Sequence, residues 1–150
     1  MESLYLLGAG LAIGLSALGV AIGEGKVAAK SLETMGKNPD LSGFVLSLTI
    51  LGVALVESAA IYGFLIARSI TAADPAVVGP YAALGAGLAI GLAWFGAGIG
   101  EGNLVASAMD SVLRNPANKG KIMGYMILFV ALVESVAIYG FLIAQGLLAG

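Results

Sequence analysis

Residues 54–67 read ALVESAAIYGFLIA, and residues 131–144 read ALVESVAIYGFLIA. The two stretches lie 77 residues apart, and the same offset relates LGAGLAIGL at residues 7–15 to its copy at residues 84–92. No gap is needed to align the two halves of the chain. Self-similarity at one fixed period indicates a duplicated structural unit. The chain is therefore predicted to consist of two tandem copies of one unit.

The composition indicates a protein whose solvent is the lipid bilayer. Of 150 residues, 59% are hydrophobic and 11% are charged, and the mean hydropathy is +1.01. A soluble domain has about 45–50% apolar and about 25% charged residues. The net charge of −2 gives no reason to expect a nucleic-acid partner. The lack of cysteine and histidine excludes disulfides, thiol chemistry and the usual zinc or haem ligands, and we expect no organic cofactor.

Each copy contains two apolar segments, and each segment exceeds the roughly 20 residues that a spanning helix needs. The predicted helices are residues 4–36 and 41–70 in a first hairpin (residues 1–73), and residues 80–113 and 119–148 in a second hairpin (residues 78–150). The turns GKNPD and RNPANK contain Asn-Pro, which is a turn signal. The first residues, MESLY, lack the basic segment of a cleaved signal peptide, so we expect the first apolar segment to be a membrane helix. The predicted fold class is an all-α membrane protein, because the alternation typical of a membrane barrel is absent.

The basic residues predict the orientation of the hairpins. Six of the seven lie at or near the two turns: Lys26, Lys30, Lys37, Arg114, Lys119 and Lys121. Arg68 alone is near the other side. Because positively charged residues are retained in the cytoplasm, we expect both turns inside and both termini outside.

Glycine recurs at spacings of four or five residues in the first segment of each copy, at positions 10, 14, 19 and 23 and again at 87, 91, 96 and 100. In lipid, small residues let helix backbones approach closely. Ordinary pairing within one four-helix bundle is the simpler interpretation. We favour a crowded inner ring of helices from many chains.

Four carboxylates, Glu24, Glu57, Glu101 and Glu134, fall inside the apolar segments. A charge at the membrane centre costs roughly 2.5–3.5 kcal/mol on insertion scales, so these residues predict a function. For Glu24 and Glu101, a position near the headgroups remains an alternative, since a polar residue follows closely. Glu57 and Glu134 have apolar or small residues on both sides for three turns or more.

The two carboxylates of one hairpin lie at similar depth. Glu24 precedes Lys37 by 13 residues and Glu57 follows Leu41 by 16 residues, which correspond to roughly 20 and 24 Å of helix. Two close carboxylates cannot both be ionised cheaply in a low dielectric. One proton and one monovalent cation, or two protons, would neutralise the pair. Ser58 and Tyr62 supply nearby oxygens, although each hydroxyl could instead bond locally to its own helix.

The sequence resembles the membrane rotor subunit of rotary ATPases, also called the proteolipid, c or K subunit. The resemblance covers nearly the whole chain. It rests on the glycine-rich first helix, on GEGKVAAK at residues 23–30, on NPD at residues 38–40, and on LVESxAIYGFLIA in both second helices. The doubled four-helix form is similar to the K subunit of V/A-type enzymes, although fused hairpins also occur among F-type relatives.

The resemblance implies a concentric ring of identical chains, with the first helix of each hairpin inside and the second outside. The residues that match the family's ion site are the carrying carboxylates Glu57 and Glu134, the supporting carboxylates Glu24 and Glu101, the backbone-carbonyl ligands Leu55 and Leu132, the hydroxyl ligands Ser58 and Ser135, and the steadying tyrosines Tyr62 and Tyr139.

In the family, the ligands of one ion come from neighbouring hairpins. One sodium site would then consist of Glu101, Glu134, Leu55 and Ser58, and the other of Glu24 and Glu57 with Leu132 and Ser135 of the adjoining chain. Two departures from the family's pattern affect which ion the site would take. The glutamine that follows the hydroxyl in some V-type sodium sites is Ala59 or Val136 here, and the inner polar residue is glutamate, not glutamine. Such a site needs a bound proton to take sodium, or carries protons alone; we favour sodium.

The resemblance also implies the partners. They are identical chains in the ring, a static membrane subunit bearing an arginine, a central stalk subunit at the cytoplasmic turns, and lipid. The chain itself would catalyse no reaction. The alternatives are a proton-coupled duplicated F-type c subunit, a small dimeric secondary transporter with membrane glutamates, and a purely structural pore-forming bundle.

Overall fold

The computed structural model describes residues 2–149 and shows four long helices in two tandem hairpins. Helices α1 (Glu2–Lys37) and α2 (Ser42–Ala72) form the first hairpin, and α3 (Pro80–Arg114) and α4 (Lys119–Ala149) form the second. The observed bounds lie within two residues of the predicted ones. All four helices are long and apolar enough to cross a membrane, and the surface of the chain is rich in exposed leucine, isoleucine and phenylalanine. The predicted all-α membrane fold is therefore confirmed.

The two hairpin turns contain single 3-10 turns, at Pro39–Leu41 and Pro116–Asn118. Proline suits the first position of such a turn because it has no backbone N–H to leave unpaired. The Asn38 side chain accepts a hydrogen bond from the backbone N–H of Asp40 at 3.2 Å. At the opposite end, the Tyr5 hydroxyl donates to the Ala73 carbonyl at 2.9 Å and also to that of Ile70, which ties α1 to the end of α2.

The closest helix pair is α1 with α3, one from each hairpin. Glycines on both helices allow this approach: a Cβ added to Gly98 would lie 2.8 Å from the Gly19 carbonyl carbon, and one added to Gly102 would lie 2.6 Å from the Gly23 oxygen. An ion pair between Lys30 Nζ and Asp110 Oδ1, at 3.1 Å, joins the same helices near the turns. Helix α2 packs on both α1 and α3, whereas α4 packs mainly on α3 and is the least buried helix. The first helices of the two hairpins thus form the glycine-lined inner pair.

A carboxylate site at the seam between the two hairpins

A hydrogen bond between α2 and α4 connects the two hairpins within the membrane-spanning region, in addition to the bond that Lys26 Nζ of α1 donates to Asn103 Oδ1 of α3. Ser58 Oγ donates to Glu134 Oε1 at 3.2 Å, although the two residues are 76 positions apart. The bond joins α2 of the first hairpin to α4 of the second. We call the region where α2 packs against α3 and α4 the hairpin seam. Leu55 lies on α2 one turn before Ser58 and is half-buried.

The second carboxylate of the seam is Glu101. Its side chain is fully buried, and neither of its oxygens has a hydrogen-bond partner among residues 2–149. Glu101 lies on α3 and Glu134 lies on α4, and these two helices pack against each other. Burying an unpaired carboxylate is very costly, and the group must be neutralised by a proton or a cation. Glu101 therefore needs a bound proton or a nearby cation.

The other four candidate ligands are not brought together within one chain. Glu24 lies on α1 and Glu57 lies on α2, where Glu57 is exposed. Leu132 is 56% exposed, and the Ser135 hydroxyl donates within its own turn to the Leu132 carbonyl at 2.8 Å. Among the described residues, the structure thus joins Ser58 to Glu134 but does not join Glu24 or Glu57 to Leu132 or Ser135.

The two candidate tyrosines have different surroundings. Tyr62 stacks on Trp94 with ring centroids 4.6 Å apart and meets Phe141 edge-on at 5.3 Å. No hydrogen bond joins the Tyr62 hydroxyl to a carboxylate in the described part of the chain. Tyr139 is 65% exposed. Sequence reasoning missed Trp94, and the signal that could have found it is that this single tryptophan occupies the repeat position of Ala17.

Carboxylates occur here in pairs. Within residues 2–149 the structure has no group of three or more Asp, Glu, His or Cys side chains placed to hold a metal ion. A hard cation at the seam would complete its shell with hydroxyl, backbone-carbonyl or water oxygens, which are the ligands that such ions accept. Ser58 and the Leu55 carbonyl are the candidates at the seam.

Comparison with known proteins agrees with this architecture. The family of the ATP synthase C subunit matches the chain twice, over residues 7–68 and 84–145. The chain belongs to this family. Each match spans one hairpin, and both Glu57 and Glu134 lie inside the matched ranges. The duplication seen in the sequence is thus a duplication of the whole family unit.

Relatives within the family have one or more such units. The K subunit of the A-type ATP synthase of Methanocaldococcus jannaschii is 38% identical over 144 residues, which are 96% of this chain and 61% of that protein. The chain therefore spans about three fifths of the length of this relative. The chloroplastic ATP synthase c subunit of Cyanidioschyzon merolae is 44% identical over 73 residues, 49% of this chain and 90% of that protein. The ATP synthase c subunit of Synechococcus sp. is 47% identical over 75 residues, 50% of this chain and 90% of that protein.

Proposed function

We propose that this chain is the ion-carrying rotor subunit of a V/A-type rotary ATPase and works as one member of a closed ring. The observation that carries the proposal is the buried, unpartnered Glu101 on α3, together with the hydrogen bond that Ser58 of the first hairpin donates to Glu134 on the adjacent α4. Such a site is neutral only when loaded, so it can hold a cation or a proton in the bilayer and release it where water is admitted. The match of the A-type K subunit over 96% of the chain supports the V/A-type assignment.

A groove on the second hairpin supports the proposed ring, because the corresponding groove of the first hairpin is filled by α3. Gly96, Leu132 and Val136 line part of an apolar groove of about 480 Å³ between α3 and α4. The repeat-related residues of the first hairpin are Gly19, Leu55 and Ala59, and there α3 occupies the groove: a Cβ on Gly19 would lie 2.6 Å from Phe95 Cα. The first hairpin of a second copy therefore suits the open groove of this chain.

Docking of a second copy would also complete the second ion site. Leu132 and Ser135 lie on α4 near the open groove, and Glu24 and Glu57 of the adjoining chain would meet them there. Repetition of this contact leads to a closed ring in which sites within chains and sites between chains alternate. Imaging of the purified particle by electron microscopy tests this arrangement; a dimer would instead favour the secondary transporter.

The ring would carry its cargo by rotation. An ion enters from one side through a static membrane subunit, whose arginine faces the ionised glutamate while the site is empty. Loading neutralises the carboxylate pair, and the neutral site then crosses the lipid at tolerable cost. The site releases its ion on reaching the opening to the other side. ATP hydrolysis or synthesis takes place in the peripheral subunits, and this chain supplies no catalytic group.

We propose that the transported ion is sodium. One experiment distinguishes sodium from the alternative, the proton. In purified rings at fixed pH, sodium is expected to slow carbodiimide labelling of both Glu57 and Glu134. Ser58→Ala is expected to raise the sodium concentration that protects Glu134 by about tenfold or more, since hydrogen bonds to charged groups contribute about 1.5–3 kcal/mol. Mass spectrometry of the two labelled peptides measures both effects.

The matched control for Ser58 is its repeat partner. Ser135→Ala is expected to weaken the protection of Glu57 and to leave that of Glu134 unchanged. If sodium protects neither glutamate at any concentration, the coupling ion is the proton. If Ser58→Ala weakens protection at Glu57 instead, the pairing of ligands proposed here is wrong.

We also propose that both hairpin turns face the cytoplasm, where the central stalk subunit would contact them. A cleft of about 470 Å³ beside the second turn is lined in part by Arg114, Asn118, Lys121 and Tyr125. These basic and polar side chains suit an acidic or polar protein surface. The excess of lysine and arginine at the turns supports this orientation.

Cysteine labelling tests the orientation without background, because the chain contains no cysteine. A membrane-impermeant maleimide added to intact cells is expected to label Ala76→Cys in the exposed connector between α2 and α3, and to leave Asn115→Cys in the second turn unlabelled. Permeabilised cells are the control, in which both positions should react. Labelling of Asn115→Cys from outside would reverse the topology.

A further inference from the structure

The two halves of the chain differ at one position beside the ion sites. Trp94 on α3 occupies the place that Ala17 occupies on α1, 77 residues earlier. Trp94 is fully buried and is the only tryptophan of the chain. It precedes Glu101 by two helical turns, so it lies roughly 10 Å from that carboxylate on the side away from the hairpin turns.

Trp94 belongs to an aromatic cluster that spans the hairpin seam. The cluster consists of Trp94 on α3, Tyr62 on α2 and Phe141 on α4, with Tyr62 between the other two rings. Tyr62 is one turn beyond Ser58, which bonds to Glu134. The three rings therefore pack together across the seam, on the side of Glu101 and Glu134 that faces away from the hairpin turns.

The corresponding seam between chains lacks one of the three rings. The repeat places Tyr139 there with Phe64 and Ala17 of the neighbouring chain. In the single chain, Tyr139 is 65% exposed and Phe64 is 52% exposed, as expected of residues that a second copy would cover. The Ala17 methyl group cannot stack on Tyr139 as the Trp94 indole stacks on Tyr62.

We propose that Trp94 is a positioning residue that makes the two ion sites of each chain inequivalent. Through its stack on Tyr62, it holds the site within the chain closed, whereas the site between chains, with Ala17, opens and exchanges its ion more readily. This inference rests on the proposed ring function. It predicts a rotor whose sites alternate between slow and fast exchange around the circumference.

Carbodiimide labelling of the intact wild-type ring tests the inference directly, because the reagent adds to a protonated carboxyl only when the site opens. Glu57 is expected to react about two- to twelvefold faster than Glu134, the range that corresponds to one aromatic pair. The rates are measured in one time course by mass spectrometry of the two peptides. Equal rates in an intact ring would overturn the inference.

Two reciprocal substitutions assign the difference to the indole. Trp94→Ala is expected to raise the rate at Glu134 to that at Glu57, and Ala17→Trp to lower the rate at Glu57 to that at Glu134. Trp94→Phe keeps a ring against Tyr62 and is expected to preserve most of the wild-type difference. If Trp94→Ala prevents assembly, the wild-type ratio and Ala17→Trp still decide the question. A wild-type chain that forms no ring would contradict the proposed function. Unequal rates at Glu57 and Glu134 that neither substitution changes would contradict only the role of Trp94.

Discussion

Replacing Glu134 or Glu57 by glutamine is expected to reduce ion transport by the complete ATPase to background. The amide has nearly the same shape as the carboxyl group but carries no charge and exchanges no proton, so a rotor site that contains it cannot be loaded and unloaded. In the proposed ring, one substitution per chain is sufficient because every site would pass the same static subunit. Insertion of the chain into the membrane should not be impaired, because the amide avoids the roughly 2.5–3.5 kcal/mol that a charge costs at the membrane centre.

Sodium and proton uptake by sealed vesicles containing the whole complex measures this loss. The matched control is Glu33→Gln, which makes the same chemical change at an exposed ion pair with Lys30 and Lys37 near the first turn. This control is expected to retain transport. Uptake at the wild-type rate in both Glu57→Gln and Glu134→Gln would favour a purely structural role for the chain.

Valine at Gly91 is expected to lower the stability of the folded chain, whereas valine at Gly14 is expected to leave that stability unchanged and to prevent ring closure. The two glycines are repeat partners in the same local sequence, LAIGL. A Cβ on Gly91 would lie 2.6 Å from the Leu11 carbonyl oxygen, and backbone cannot give way as a side chain can. Overpacking of this kind lowers the free energy of unfolding by about 1–3 kcal/mol, occasionally more, and we expect a value at the upper end of this range. A Cβ on Gly14 meets nothing within 4 Å in the single chain.

The proposed ring would explain why Gly14 has no neighbour in the single chain. By the repeat, Gly14 is expected to face Leu88 of the neighbouring chain, as Gly91 faces Leu11 within the chain. The unfolding temperature in detergent reports on the chain, and native mass spectrometry reports on the ring. Intact rings of Gly14→Val would contradict an inner circle of closely packed helices. An unchanged unfolding temperature for Gly91→Val would contradict the packing of α1 against α3.

The fold could be predicted from the sequence because its determinants are local. Long apolar segments in lipid have few alternatives to helices, since every backbone polar group must be paired within the segment. Asn38 with Pro39, and Asn115 with Pro116, end those helices where the structure has its turns. The duplication and the family could also be recognised from the sequence, because both are properties of residue order alone.

The pairing of the carboxylates with the other ligands could be predicted only in part from the sequence. Residue counts from the turns placed Glu24 and Glu57 at similar depth, as the fixed rise of a helix allows. The resemblance to the family supplied the ligand sets that cross between hairpins. The resemblance also implied which set lies within one chain, and the Ser58–Glu134 hydrogen bond is the one contact of that set that the described residues show.

The sequence by itself determined that this protein has four membrane helices in two copies of one hairpin, with four glutamates placed among them. The tertiary structure decided that Ser58 meets Glu134 within the chain, that Glu101 is buried without a partner, and that Trp94 stacks on Tyr62. The physical reason lies in the solvent. In lipid, a helix is apolar on every side, so the pattern of polar and apolar residues that marks the buried face of a soluble helix is absent, and only packing against neighbouring helices sets which side chains meet.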